Sequence, residues 1–371
     1  MNHLRTAPKA YATGRHIDPA LGSLTGEGAH QFLRSKAVFQ PHPAPLRVQP
    51  ASHFAQQPLP DYYGRPVLKE PVWIWSVPLY FHVGGIAGAS MALAAVLQAK
   101  RWRHETLLSR CRWLGLAGAT AGSGLLTYDL GRPDRFYNML RVCRPTSPMS
   151  WGSWGLALGS GAMAASLLLS RAEGAAGWAG LAAGYAAGVV GPGLAGYTGV
   201  LLGNTAVPLW NESRRLLPVL FTASGMTGAA ALLETDPALS PPERRIVRTF
   251  GWAGKIAEAT AIQATEWRVS RNPAVGRPLK KGRSGLLWKA GKVLTGAGML
   301  LSALPAIEWR PHRKRARTLA RAAKLTAPAL VTAGAVALRY ALFEAGKASA
   351  RDPQALFRLQ HGRKAQTGRS W

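Results

Sequence analysis

The chain has 371 residues, with 46 Lys and Arg against 17 Asp and Glu and a formal net charge of +29. In a soluble protein that balance would suggest nucleic acid, but the basic residues gather at the ends of apolar blocks, and no binding module or aromatic–basic interleaving accompanies them. Two cysteines, Cys111 and Cys143, cannot ligate an iron–sulfur cluster of the chain's own, and with His82 alone of nine histidines inside an apolar span, a bis-imidazole haem is not expected.

Residues 1–70, rich in Pro, His, Gln and Ala, read as an extended, partly disordered tail without an apolar signal region; a binding role and plain disorder both fit it. Residues 72–97 then contain no Lys, Arg, Asp or Glu, and their length meets the roughly 20 residues a bilayer core requires. Further candidate spans are 107–127, 151–169, 175–203, 216–233, 247–267, 286–305 and 325–343. The segment 247–267 is the weakest, because Lys255, Glu258, Gln263 and Glu266 fall inside it. The segment 286–305 carries Lys289 and Lys292 near one end, so either segment could lie in the interface rather than cross it. Small residues recur, as in Gly84-Gly-Ile-Ala-Gly88, and let helices approach closely where lipid removes the hydrophobic drive to associate. The expected fold is all-α: a polytopic transmembrane bundle of about eight helices over residues 71–345, followed by a polar tail at 346–371. Clusters such as Lys100-Arg-Trp-Arg103 and residues 310–317 are explained by topology and anionic headgroups. The connector at 268–289 is as basic as those on the opposite side, so positive charge does not fix the orientation, though the long tail favours a cytoplasmic N-terminus.

The polar run Asp129-Leu-Gly-Arg-Pro-Asp-Arg-Phe136 separates two apolar segments and leads to Pro145-Thr-Ser-Pro-Met-Ser-Trp-Gly-Ser-Trp154. Within the spans, His82 is either a satisfied polar group or part of a ligand site, and intramembrane ionisable residues are functional candidates by default. The fourth span supplies Tyr185 and Tyr197 and is followed by Asn204 and Val207-Pro-Leu-Trp-Asn-Glu212, in which Trp210 also suits an interfacial anchor. Lys255 and Glu258, at i and i+3, form either a polar path across the bundle or a solvated helix edge. Arg339, with Glu344 one turn beyond, raises the same alternatives.

These landmarks resemble the NrfD/polysulfide-reductase membrane-subunit family. The resemblance is carried in order by Tyr62-Tyr-Gly-Arg-Pro-Val67, the Gly84–Gly88 helix, Asp129-Leu-Gly-Arg-Pro133, the 145–154 motif, Tyr197-Thr-Gly-Val-Leu-Leu202 and Pro208-Leu-Trp-Asn211. It covers residues 62–235 strongly and the later helices weakly. It implies a multi-pass subunit of the bacterial cytoplasmic membrane without a redox metal, haem or cluster of its own. Such a subunit binds a quinone (menaquinone or ubiquinone) near one membrane face and docks an iron–sulfur ferredoxin-like subunit, itself joined to a molybdopterin-type catalytic subunit. The family's site is built from the first and fourth helices, with its first-helix His falling nearer Tyr80 than His82 and its fourth-helix Tyr within a residue of Tyr197.

A quinone headgroup needs donors to its carbonyl oxygens and a proton route. Tyr80, His82 and Tyr197 are candidate donors, with Asn204 and Trp210 as further contacts. Asp129 is a candidate proton relay, the alternative being that it caps the loop or pairs with Arg132 or Arg135. Arg132, Arg135, Arg141 and Arg144 form a basic face suited to partner docking, or to lipid phosphates. A quinone-reactive electron-transfer subunit and a purely structural membrane anchor are the two functions to separate.

Overall fold

The computed structural model describes residues 68–99, 104–303 and 314–356, with side chains described from Thr326 onward in the last stretch. The tail before residue 68, the Tyr62–Val67 motif, the basic cluster at 100–103, residues 310–313 of the second cluster and the chain from 357 on lie outside the described residues. Within the described residues, a helix stands at each of the eight expected segments. They correspond to α1 (Ser76–Ala99), α2 (Glu105–Asp129), α3 (Pro148–Leu168), α4 (Gly174–Gly203), α6 (Leu217–Glu234), α7 (Pro241–Ser270), α9 (Gly282–Ala303) and α10 (Lys314–Arg351). Two short helices, α5 (Pro208–Glu212) and α8 (Pro273–Lys280), and a 3-10 turn at Pro133–Leu140 fill connectors.

Four helices, α1, α4, α6 and the Thr326–Arg351 part of α10, are long and apolar enough to cross a membrane. The molecule is a helical membrane bundle. At about 1.5 Å per residue, the 24 residues of α1 reach roughly 36 Å, enough for a hydrocarbon core of about 30 Å. The polar residues that weaken the seventh segment point inward: Lys255 and Glu258 are buried, so α7 is a bundle helix packed along α6 and not a solvated edge. Exposed Leu158, Val189, Val219, Val293 and Leu300 cover the outside between two aromatic belts. Trp75, Tyr128, Trp151 and Trp267 lie at one end, with Trp113 and Trp178 towards the other, as amphipathic rings do at membrane–water interfaces.

Helix α1 is the hub, touching α2, α4, α6 and α10. It can be a hub because it is thin. A Cβ on Gly88 would overlap the Gly191 carbonyl of α4, and one on Gly225 of α6 would overlap the Gly85 carbonyl, so both neighbours meet α1 backbone to backbone.

The Asp129-Leu-Gly-Arg-Pro133 motif is first a helix stop. Gly131 adopts φ of 77°, the left-handed conformation that ends helices, and Pro133 cannot continue one. At the other end of α2, Glu243 ties two helix starts together: one carboxylate oxygen accepts the Ser240 N–H at 2.8 Å and the other the Leu107 N–H at 2.9 Å.

Candidate functional site

Tyr80 leaves the first turns of α1 and is 1 % exposed, while Tyr197 leaves α4 two turns before that helix ends. The two phenols lie within electrostatic reach of one another. Glycines make room for both rings: a Cβ on Gly122 of α2 would stand 3.1 Å from the Tyr80 ring, and one on Gly152 of α3 would overlap the Tyr197 ring outright. Four helices thus converge on two phenols near one end of the bundle. The same end carries the loop after α2, on which Arg132, Arg135, Arg141 and Arg144 are all exposed.

His82 does not join them. Two helical positions at about 100° each put Tyr80 and His82 on nearly opposite sides of α1. The His82 ring faces α6, where a Cβ on Gly228 would stand 3.3 Å from its Cε1, and it lies within electrostatic reach of Arg339 on α10. Arg339 is 1 % exposed; its Nη2 donates to the Phe221 carbonyl at 3.1 Å and its guanidinium carbon stands 3.7 Å over the Phe221 ring. The opposite charge within its electrostatic reach is Glu258 of α7, wholly buried and outside ion-pair distance, and not Glu344, which is exposed. Ser224 and Thr227 of α6 turn hydroxyls towards Glu258, though neither reaches hydrogen-bonding geometry with its oxygens. Both ring nitrogens of His82, both carboxylate oxygens of Glu258 and Nε of Arg339 are buried without a hydrogen-bond partner. Buried polar atoms are nearly always paired, so such a concentration marks a place for mobile protons, water or ligand atoms.

Lys255 continues the row one turn along α7, donating to Ser302 of α9 at 2.9 Å, and lies within reach of Glu234, which in turn lies within reach of Arg248. Ionisable groups therefore run from His82, near the phenol end, to Glu234 at the other.

Asp129 holds the chain that enters α1. Its Oδ1 accepts the Ile74 N–H at 3.1 Å, while Tyr340 donates to Trp75 O at 2.7 Å, Lys347 to Trp73 O at 2.8 Å, and Arg351 grips Glu70 through Nε at 2.7 Å and Nη2 at 2.6 Å. Lys347 is also within electrostatic reach of Asp129. Residues 68–75 are thereby strapped across the phenol end, and α10 runs past the expected end of the membrane domain at 345 to supply two of the grips.

Trp210 is wholly buried. Its Nε1 donates to Leu342 O at 2.9 Å, and its ring stacks between Trp73 and Phe343 at centroid separations of 6.1 and 6.4 Å. It pins α5 to α10 and offers no free edge to a ligand. Asn204 is exposed at the C-cap of α4, and Tyr185 is exposed further back along that helix, away from the phenols.

Residues 66–235, nearly half of the chain, match the family profile described as polysulphide reductase, NrfD. This segment belongs to the NrfD family. No curated protein matches the chain. The NrfD segment contains Tyr80, His82, Asp129, the arginine loop and Tyr197; Lys255, Glu258 and Arg339 lie beyond it. Sequence reasoning missed Phe221, Glu234, Tyr340 and Lys347, and gave Gly152 of the 145–154 motif no role of its own. Lys347 and Tyr340 act through backbone carbonyls some 270 residues away in sequence, at separations of 274 and 265, which no local pattern encodes.

Proposed function

We propose that this chain is the quinone-reactive membrane subunit of a multi-subunit oxidoreductase, exchanging electrons between the quinone pool and an iron–sulfur partner bound over the arginine loop. The observation that carries the reading is the pairing of Tyr80 and Tyr197, phenols from α1 and α4, in a glycine-lined convergence of four helices directly beneath an exposed basic loop. The NrfD match over the segment that holds both phenols supports it. A quinone bound there would supply two-electron, two-proton chemistry. Two phenol hydroxyls on different helices suit the two carbonyl oxygens of such a headgroup as donors, and the glycines behind their rings fix where those hydroxyls stand.

The proton route in this reading leaves along His82, Glu258 and Lys255 towards Glu234. His82 is the group whose ordinary range lies nearest neutral pH, and Glu258 and Lys255 carry the row past the middle of the bundle. Asp129 enters as the residue that fastens the strap over the site. The exposed arginines meet an acidic patch on the ferredoxin-like partner, which would connect in turn to a molybdopterin-type subunit. The membrane is the bacterial cytoplasmic membrane.

The test is quinol-linked turnover and bound quinone in the purified complex carrying Tyr197→Phe, Tyr80→Phe or His82→Ala. Loss of a donor used in the reacting geometry lowers turnover by about tenfold or more, about 1.4 kcal/mol. If all three variants keep wild-type quinone content and turnover while charge reversal in the arginine loop still releases the partner, the chain is a structural anchor and the proposal fails.

A further inference from the structure

At the end of the bundle opposite the phenols, the last turns of α1 and α3 and the first turns of α2 and α4 line a half-open cavity of about 1050 Å³, at the large end of ligand sites. Arg112 of α2 forms part of its wall and is 8 % exposed. Its Nη2 donates to Gln98 Oε1 at 2.9 Å, Gln98 passes its own amide to Leu181 O at 2.7 Å, and Arg112 Nε is buried with no partner. None of the ion pairs among the described residues involves Arg112. The other cavity charges, Glu105 and Arg171, are exposed and of opposite sign, so they leave the interior charge uncompensated.

A guanidinium buried against one neutral amide is costly, and the cost falls when an anion shares the site. Planar Arg donors match phosphate oxygens in a two-pronged geometry. The mouth is amphipathic: Leu168 and Trp178 are exposed beside polar Ser170 and Arg171, and Trp113 and Trp178 set its depth at the membrane interface. A neutral quinone carbonyl could accept from Arg112 but would leave its charge unmatched. An anion attached to an apolar chain satisfies both halves.

We propose that this cavity is a binding site for an anionic phospholipid, its phosphate held by Arg112 and its acyl chains leaving over Leu168 and Trp178. The site is separate from the phenols, and its test does not depend on their chemistry.

The full chain, purified from membranes in mild detergent and stripped of lipid, is titrated with phosphatidylglycerol, phosphatidylcholine and inorganic phosphate, and bound lipid is read by native mass spectrometry. Wild type retains phosphatidylglycerol over phosphatidylcholine by about tenfold, Arg112→Gln loses that preference, and Arg112→Lys keeps part of it. Leu168→Glu, a change on an exposed position at the mouth, weakens phosphatidylglycerol retention without lowering Tm, so the proposal stays testable even if Arg112→Gln does not fold. Equal retention of both lipids by wild type, or undiminished preference in Leu168→Glu or in folded Arg112→Gln, overturns the proposal. Displacement of phosphatidylglycerol by millimolar inorganic phosphate also overturns it, in favour of a free-anion site.

Discussion

Gly152 has no chemistry, yet it decides where Tyr197 stands. A methyl group there would occupy the volume of the phenol ring, so Gly152→Ala is expected to displace Tyr197 and cut quinol-linked turnover by about tenfold, with the complex still assembled on a native gel. Arg339 and Glu258 make a different kind of prediction. Removing one member leaves an uncompensated buried charge, so Arg339→Met is expected to cost about 3–5 kcal/mol, seen as a fall in Tm in detergent. The double change Arg339→Met with Glu258→Leu is expected to recover most of that loss, the signature of coupled sites. Tyr80 and Tyr197 were both legible in the sequence, as phenols on the first and fourth spans. The separation of Tyr80 from His82 follows from helical geometry alone, since neighbours at i and i+2 point apart. The partnership of Arg339 with Glu258 was not legible, because 81 positions and two helices lie between them and neither carries a local motif.

Helix existence was legible in all eight spans because apolar length is written locally; helix depth was not. The charges in the seventh segment read equally as a solvated edge or a buried row, and only the packing of α7 along α6 separates the two. The short helix α5 shows how much one side chain can fix: Trp210 reaches α10 through a hydrogen bond and two stacked rings, and a Cβ on Gly346 would overlap its indole. Trp210→Phe keeps most of the packing and is expected to cost about 1 kcal/mol for the lost hydrogen bond. Gly346→Ala is expected to cost more, because the clash forces α10 away. Hydrogen exchange along residues 340–351 distinguishes them: faster exchange confined to α10 in Gly346→Ala, little change in Trp210→Phe.

Across the whole molecule, both ends are basic, so charge alone gives neither orientation nor partner; what separates the ends is what lies beneath them. The arginine loop caps the two phenols, and the end near Glu234 caps the ionisable row. Reversing Arg135, Arg141 and Arg144 to Glu is expected to release the partner subunits while leaving the fold and Tm unchanged, since all three side chains are exposed. In wild type, the same contact is expected to weaken as salt rises from 0.05 to about 0.5 M, checked by co-purification, because exposed charges are screened within a Debye length of about 10 Å at 0.1 M. The strap at residues 68–75 bears on a further matter. The sequence match ends at residue 235, but two of the strap's fastenings, Lys347 and Arg351, and the Tyr340 bond to Trp75 come from the last helix. The recognisable half of the chain is therefore not a severable module. Grafting it onto the distal helices of another such protein would leave the entrance to α1 unfastened, and the two halves can be exchanged between proteins only if the grips on residues 70, 73 and 75 travel with them.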